Sequence, residues 1–438
     1  MNDTAVAPSS DSVLIVGACQ AGVQLACSLR EYGYPHPITV VGAEPHAPYQ
    51  RPPLSKALLH GETTVDSLAL RSAEYYAEQG IDLILGERIT DVERGDGGGG
   101  TAVAESGRRF TFGRLALTTG ARARRLPVEG AGLRGVHYLR TADDALELRG
   151  SLARAEDVLV IGGGFIGLEV AASARKLGRG VTVALADDRL LGRAVGAPTS
   201  EFFLQAHTRR GVRTHLSVQP VRFLDDGSGQ VRGAELADGR VLTADLVVVG
   251  IGAAPRTELA ERMGLHVDNG IVVDAAGLTS DGTTVAAGDC VACPPPVDVP
   301  GGLERIRFES VNTAVEQART AAATLAGRPA AYRAVPWFWS DQFDLKLQVA
   351  GLSGGHDHYV VRGDPDSEKF GVLYYHGSRL IAGDFVNRPG EFLALRAALA
   401  GGRTVPPEVA GDTTVPLKKL TVEAAAPAAA AGAVHAGS

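Results

Sequence analysis

The chain has 438 residues, 45% hydrophobic and 21% charged, longer than a single hydrophobic core usually serves, which excludes a disordered or fibrous protein and predicts two or three domains. A formal charge of −7 gives no global attraction to nucleic acid or an anionic membrane surface, no apolar run reaches the roughly eighteen residues of a membrane span, and the small polar stretch Met1 to Ser12 does not read as a secretory signal. Four cysteines in so long a chain fit a reducing cytoplasmic setting, and 55 glycines imply many tight turns and close backbone approaches.

Ser12 to Gly17 (SVLIVG) is a short β-branched run ending in glycine, and from Ala21 to Arg30 apolar residues recur at helical spacing. With Ile38 to Val41 as a second strand, this predicts a right-handed βαβ unit. Gly95 to Gly100 (GDGGGG), between Asp91–Arg94 and Thr101–Glu105, reads as a surface hairpin in a small antiparallel layer. The βαβ grammar returns at Asp157 to Leu185, where VLVI runs into GGGFIG, an Ala-rich helix reaches Leu177, and VTVAL follows. Val218 to Thr243 repeats the antiparallel layer, with turns at Asp225 to Gly229 and at Asp238-Gly239. Then come VVVGIGAAP (Val247 to Pro255), TTVAAGD (Thr283 to Asp289) and a helix from about Ser310 to Leu325. From Tyr332 to about Leu420 alternating strands, with a helix near Glu391 to Leu399, predict a third domain, and 421–438, mostly Ala, Gly and Pro, reads as a disordered tail. The predicted fold class is α/β, with two Rossmann-like dinucleotide-binding domains and a C-terminal α+β domain. Residues 11–121 with 255–331 would form the first nucleotide domain, 122–254 the second and 332–420 the third.

In the second unit Gly162, Gly164 and Gly167 fit a G-x-G-x-x-G turn between strand and helix: the first glycine permits the turn, the second lets a pyrophosphate approach the backbone, and the third lets helix pack on strand. The first unit carries Gly17, Cys19 and Gly22, so a thiol stands where the middle glycine belongs; the loop either shifts slightly and still binds, which is the reading adopted, or its nucleotide site is weakened. Glu44, at the end of the second strand, is about where an acidic group reaches an adenosine ribose. The matching strand of the second unit ends at Leu185, which cannot accept a ribose hydrogen bond. Asp187 and Asp188 lie just beyond and can substitute, whereas Arg189 and Arg193 can meet a phosphate instead, so the choice between NADH and NADPH stays open. Cys290 and Cys293 form a C-x-x-C, read here as part of an AAGDC pattern and a proline-rich loop, not as a redox pair. No C-x4-C-x2-C run is present to hold an iron-sulfur cluster, and no metal site is expected.

Taken together, PYQRPPLSK (Pro48 to Lys56), TTGARARRLP (Thr118 to Pro127), VLVIGGGFIGLEVA (Val158 to Ala171), AAGDC, RFESVNTAVEQA and VPWFWSDQFDLKLQVAGLS (Val335 to Ser353) make the chain resemble the FAD-dependent ferredoxin reductases of cytochrome P450 and Rieske oxygenase systems, and more distantly apoptosis-inducing factor, over Ser12 to Leu420. The resemblance implies a glutathione-reductase-like two-dinucleotide fold. It implies FAD along Gly17, Cys19, Gly22, Glu44, Arg51 and Pro52, continuing past Thr119, Gly120, Asp289, Glu309 and Ser310, with Trp339 over the ring. NADH, with NADPH as the alternative donor, would bind Gly162, Gly164, Gly167, Asp187, Arg189 and Gly252. Lys56, Glu169 and Trp339 would be the catalytic residues, Lys56 and Glu169 pairing across the nicotinamide pocket. Electrons would leave for a [2Fe-2S] ferredoxin, with neither nucleic acid nor membrane as partner. Two further readings stay open: a diverged flavoenzyme acting directly on a small organic substrate, and a redox-silent binding protein.

Overall fold

The computed structural model describes residues 11–95 and 98–424. Val13–Val16, four buried aliphatic residues, is the middle strand of a parallel sheet ordered Val285–Ala286, Arg114–Leu117, Val13–Val16, Ile38–Val41, Ile81–Ile84. A strand covered on both faces reads as an unbroken apolar run, which is why these strands were visible in the sequence. Helices Gln20–Glu31 and Val311–Leu325 cover one face, and alanines 314, 318, 321 and 322 of the second let it lie close against Val23, Leu25, Ala26 and Leu29 of the first. The other face carries the antiparallel layer Ile89–Arg94, Gly100–Ala104, Arg109–Phe112. Part of the expected GDGGGG turn, residues 96 and 97, lies outside the described residues.

The second sheet repeats the plan: Val212–His215, Gly180–Ala184, Asp157–Ile161, Leu246–Val249, Val136–His137, all parallel. Helices Ala142–Leu152, Phe165–Lys176 and Ala197–Arg209 bury residues against one face, and Pro220–Asp225, Val231–Leu236 and Val241–Thr243 form an antiparallel layer on the other. The chain crosses between the halves twice, at Ala121–Ala123 and Ala253–Pro255, and these crossings pair with each other antiparallel.

The third unit is an antiparallel sheet ordered Trp337–Gln342, Leu345–Gly351, Arg379–Val386, Lys369–His376, His358–Asp364, with helix Pro389–Ala400 on one face. Its opposite face shares a core with the second half, where Leu347, Phe370 and Val372 meet Phe202 and Phe203. The chain stays ordered past Thr421, since Val422–Glu423 pairs with Arg403–Thr404. Of the tail expected to be disordered, residues 425–438 lie outside the described residues.

Arg362, on the edge strand His358–Asp364, is fully buried and does the work of a clamp. Its guanidinium donates to Glu391 Oε1 at 2.8 Å and to the carbonyls of Ala410 (3.0 Å), Val415 (2.6 Å) and Asp412, tying the C-terminal turns to the sheet. Arg362→Ala removes a fully buried side chain and leaves the Ala410 carbonyl buried without its donor, and thermal unfolding should register a loss of about 3–5 kcal/mol; a variant as stable as the parent would mean that solvent replaces these bonds.

Candidate active site

Between the first two halves and the third unit runs a cavity of about 430 Å³. Gly17, Cys19, Glu44, Arg51, Pro52, Lys56, Thr119, Gly120, Glu169, Asp289, Glu309, Ser310 and Trp339 all line it, so residues from three sequence regions converge on one channel. Gly22 stands behind it: a Cβ there would come within 1.9 Å of Gly17 O, and one on Gly17 within 2.1 Å of Thr118 O. The loop therefore closes as tightly as a dinucleotide turn needs.

Cys19 caps helix Gln20–Glu31 at φ −134°, ψ −158°, a conformation open to any residue, and its side chain makes no capping bond. The first N–H groups of the helix consequently remain open toward the cavity, the arrangement that receives a phosphate. The thiol turns toward Arg51, whose Nε lies 3.2 Å from Sγ, while the same guanidinium reaches Glu44 Oε1 at 2.6 Å and the Arg140 carbonyl at 2.6 Å. Burial opposes the charge on Arg51, yet Cys19, Tyr49 and Glu44 hold it above the ordinary guanidinium range. Glu44 also accepts from Tyr49 Oη at 2.5 Å.

Asp289 accepts from Arg140 at 2.7 Å, Glu309 pairs with Arg307, and Ser310 caps helix Val311–Leu325 by accepting from Thr313 N at 3.0 Å. Thr119 and Gly120 grip Arg256: Thr119 Oγ1 donates to its carbonyl at 2.7 Å, and its amide donates to Gly120 O at 2.9 Å. The half-buried Arg256 side chain has no acceptor among the described residues. Burial first, and then Arg88, Arg122 and Arg140, push its guanidinium below the ordinary value. The donor set, the open helix end and this unanswered cation fit the diphosphate of FAD. Sequence reasoning missed Arg256, whose role depends on neighbours remote in the chain.

Lys56 Nζ lies 2.6 Å from Glu169 Oε2, an ion pair joining the two nucleotide halves. Glu169 is 4% exposed despite its charge, and it is held on both oxygens: Ser55 Oγ donates to Oε2 and Ser340 Oγ to Oε1 at 2.7 Å. Neither serine was singled out by the sequence. Trp339 and Phe338 face the cavity with Phe165, whose ring meets Phe338 at 4.5 Å. Trp337, 5.7 Å from Trp339, packs on Phe392 and under Arg396 in the third unit.

The second cradle stands apart from that cavity. A Cβ on Gly162 would lie 2.4 Å from Gly250 O and one on Gly167 2.6 Å from Gly162 O, whereas one on Gly164, the uncapped N-cap of Phe165–Lys176, would meet nothing within 4 Å. The middle position is thus open, as phosphate approach requires. Gly252, at φ +100°, lies beside the exposed side chain of Arg193. Arg189 is spent inside its own loop, donating to Val195 O at 2.9 Å and Gly192 O at 2.5 Å.

The two cradles superpose by hydrogen bonding, and this corrects the expected counterpart of Glu44. Gly17 N bonds Val41 O and Gly162 N bonds Ala184 O, each at 2.8 Å. Gly42 N bonds Ile84 O at 2.8 Å as Leu185 N bonds His215 O at 3.1 Å, and Glu44 O accepts from Gly86 N as Asp187 O accepts from Ser217 N, both at 3.0 Å. Leu185 therefore matches Gly42, and Asp187 matches Glu44. The leucine is 3% exposed beneath Gly163, where a Cβ would meet it at 2.5 Å, so it fills core space and never stood at the ribose. Asp187 and Asp188 are exposed and free of ion pairs among the described residues.

A family profile described as pyridine nucleotide-disulphide oxidoreductase matches residues 11–318. The chain belongs to that family. A second profile, described as reductase C-terminal, matches residues 337–421. Rhodocoxin reductase of Rhodococcus erythropolis is 47% identical over 407 residues, covering 93% of both chains. Putidaredoxin reductase CamA of Pseudomonas putida is 40% identical over 423 residues, 95% of this chain and 98% of that protein. Among solved structures, the ferredoxin reductase for the CYP199A2 system of Rhodopseudomonas palustris aligns with a TM-score of 0.89 at 41% identity, over 93% of this chain and 99% of that one. The two-dinucleotide α/β architecture is thereby shown, and the chain is an FAD-dependent, NAD(P)H-using oxidoreductase.

The family name speaks of disulphides, but all four cysteines are free thiols. Cys290 and Cys293 are buried, and burial pushes both thiols up, Cys293 to about 11, the reverse of a reactive dithiol. Among the described residues no group of His, Cys, Asp and Glu could hold a metal, and no helix is long and apolar enough to cross a membrane. Replacing the side chain that stands at the middle glycine position of the first cradle gives a direct check: Cys19→Gly should tighten FAD binding by the apoprotein, measured by quenching of flavin fluorescence, and unchanged or weaker binding would mean that the turn of Sγ toward Arg51 already clears the diphosphate path.

Proposed function

We propose that this chain is an NAD(P)H:ferredoxin oxidoreductase, passing electrons from a reduced nicotinamide through FAD to a [2Fe-2S] ferredoxin that serves a P450 or Rieske oxygenase in the cytoplasm. The observation that carries the reading is the pair of buried Glu169 with the partly exposed Lys56, set where the FAD cavity meets the helix that opens the second cradle. The names of the relatives and the covalent putidaredoxin reductase-putidaredoxin complex, 40% identical with a TM-score of 0.88, support an iron-sulfur acceptor. Residues 11–121 with 255–331 are read as the FAD domain, 122–254 as the nicotinamide domain and 332–420 as the third domain, a division supported by the sheet to which each strand belongs.

When bound, FAD supplies two-electron acceptance and one-electron release, while the protein supplies position and electrostatics. Arg51 and Arg256 answer the diphosphate together with the open end of Gln20–Glu31, and Glu44 answers the adenosine ribose. Lys56 brings a positive charge to the far end of the cavity, Glu169 fixes that ammonium, and Trp339 closes the wall. With Cys290 and Cys293 buried and their thiols pushed up, electrons leave to an external acceptor, so anaerobically reduced protein should be reoxidised far faster by a [2Fe-2S] ferredoxin than by small organic acceptors. The opposite order would favour a flavoenzyme acting directly on an organic substrate.

Asp187 takes the nicotinamide nucleotide's adenosine ribose in the position that Glu44 occupies in the other cradle, which favours NADH and repels a 2′-phosphate. A charged hydrogen bond of about 1.5–3 kcal/mol is at stake, so Asp187→Ser should raise KM for NADH roughly ten- to hundredfold and narrow its advantage over NADPH. Equal KM values for parent and variant would remove Asp187 from the nucleotide site.

A further inference from the structure

Behind Glu169 the hydrogen bonds continue into the third unit. Gln342 Nε2 donates to Ser340 Oγ at 3.1 Å, and Gln342 Oε1 faces His207 Nε2 at 2.8 Å, with Ser340, Gln342 and His207 all fully buried. Burial lowers the His207 pKa to about 4, so the ring is neutral at ordinary pH. Because the amide spends its N–H on Ser340, its oxygen is the atom turned to His207, which fixes the proton on Nε2. Each group then donates toward the next, His207 to Gln342, Gln342 to Ser340, and Ser340 to Glu169 Oε1. A glutamine side chain accepts and donates but does not pass a proton along, so the line is no proton conduit. Its dipoles all point one way and end on the Glu169 carboxylate, whose Oε1 they hold in place.

We propose that Ser340 is a positioning residue for the Glu169–Lys56 pair, oriented by Gln342 and His207, through which the third domain sets the charge beside the flavin. The proposal rests on the reading of Glu169 as part of the reducing site. The geometry favours it because Ser340 is the one partner of Glu169 Oε1 among the described residues, while Oε2 is shared by Lys56 and Ser55. Two residues along the same strand, the side chain of Gln342 lies on the same face as Ser340, so the strand that brings Trp339 to the cavity delivers both.

The test compares Ser340→Ala, Ser340→Thr, Gln342→Met and Glu169→Gln as flavin-loaded proteins, reading flavin content, the flavin midpoint potential and the limiting rate of reduction by NADH in stopped flow. Ser340→Ala should keep its flavin, shift the potential in the direction that Glu169→Gln shifts it but by less, and slow reduction about three- to tenfold with the apparent Kd for NADH unchanged. Ser340→Thr, which keeps the hydroxyl, should restore both values. Gln342→Met removes the orienting amide without touching Ser340 and should give the same signs more weakly, which keeps the proposal exposed should Ser340→Ala fail to fold. If Glu169→Gln moves potential and rate while neither Ser340→Ala nor Gln342→Met does, the positioning role is overturned and the reading of Glu169 stands. If Glu169→Gln itself moves neither, that reading falls and the proposal with it.

Discussion

A carboxylate withdrawn from water has to be surrounded by donors or a partner cation, and Glu169 draws them from every part of the molecule. It projects from a helix of the second half, its counter-charge and one hydroxyl come from the first half, and its other hydroxyl comes from the third unit. Were any of the three undocked, a nearly buried charge would lose part of its shell at a cost of several kcal/mol. Neighbouring contacts repeat the requirement: Ser173 Oγ donates to Ser55 O at 2.7 Å one turn further along the same helix, and Phe165 at its start seats on Phe338. This helix thus helps to pin the relative placement of three units that also share one hydrophobic core.

At the other end of the cavity the charges are arranged in the opposite sense. Arg51 meets Glu44, Arg140 meets Asp289 and Arg307 meets Glu309, so these acids are already answered. Arg256 is left over, lining the same cavity as the start of a helix whose first turn contains no acidic residue. A surplus of positive potential at one end and a neutralised pair at the other give the channel a polarity matched to a ligand with a charged diphosphate and an uncharged ring.

Much of this was legible in the sequence because it is written locally. Runs such as Val13–Val16 and Asp157–Ile161 announce doubly covered strands, and the glycine turns sit directly between strand and helix. Lys56 and Glu169, far apart in sequence, became visible through resemblance and not through any local pattern. Ser340, Gln342 and Arg256 left no signal, since a buried hydroxyl and an exposed one look alike in a strand, and Arg256 is distinguished by the acceptor it lacks. The placement of Leu185 failed for a different reason. Counting along the sequence sets the counterpart of Glu44 at the strand's very end, whereas in both units the acidic residue stands three residues past the last strand residue, Glu44 after Val41 and Asp187 after Ala184, and there Ser217 at φ +55° takes the part of Gly86 at φ +73°.

Beneath the two cradles the same volume is filled in mirror fashion. In the first, Ala18 covers Gly42, and a Cβ on that glycine would lie 2.6 Å from the alanine methyl; in the second, Gly163 covers Leu185. The bulk has migrated from the loop to the strand end. Neither unit can adopt the other's residues one at a time, because Gly163→Ala strikes the leucine and Gly42→Leu strikes the alanine, whereas the paired exchange conserves volume. Shuffling segments between the two cradles would therefore succeed only when loop and strand end travel together, and the effect of a substitution at either position is contingent on its partner, an epistasis hidden below the surface on which the nucleotides lie.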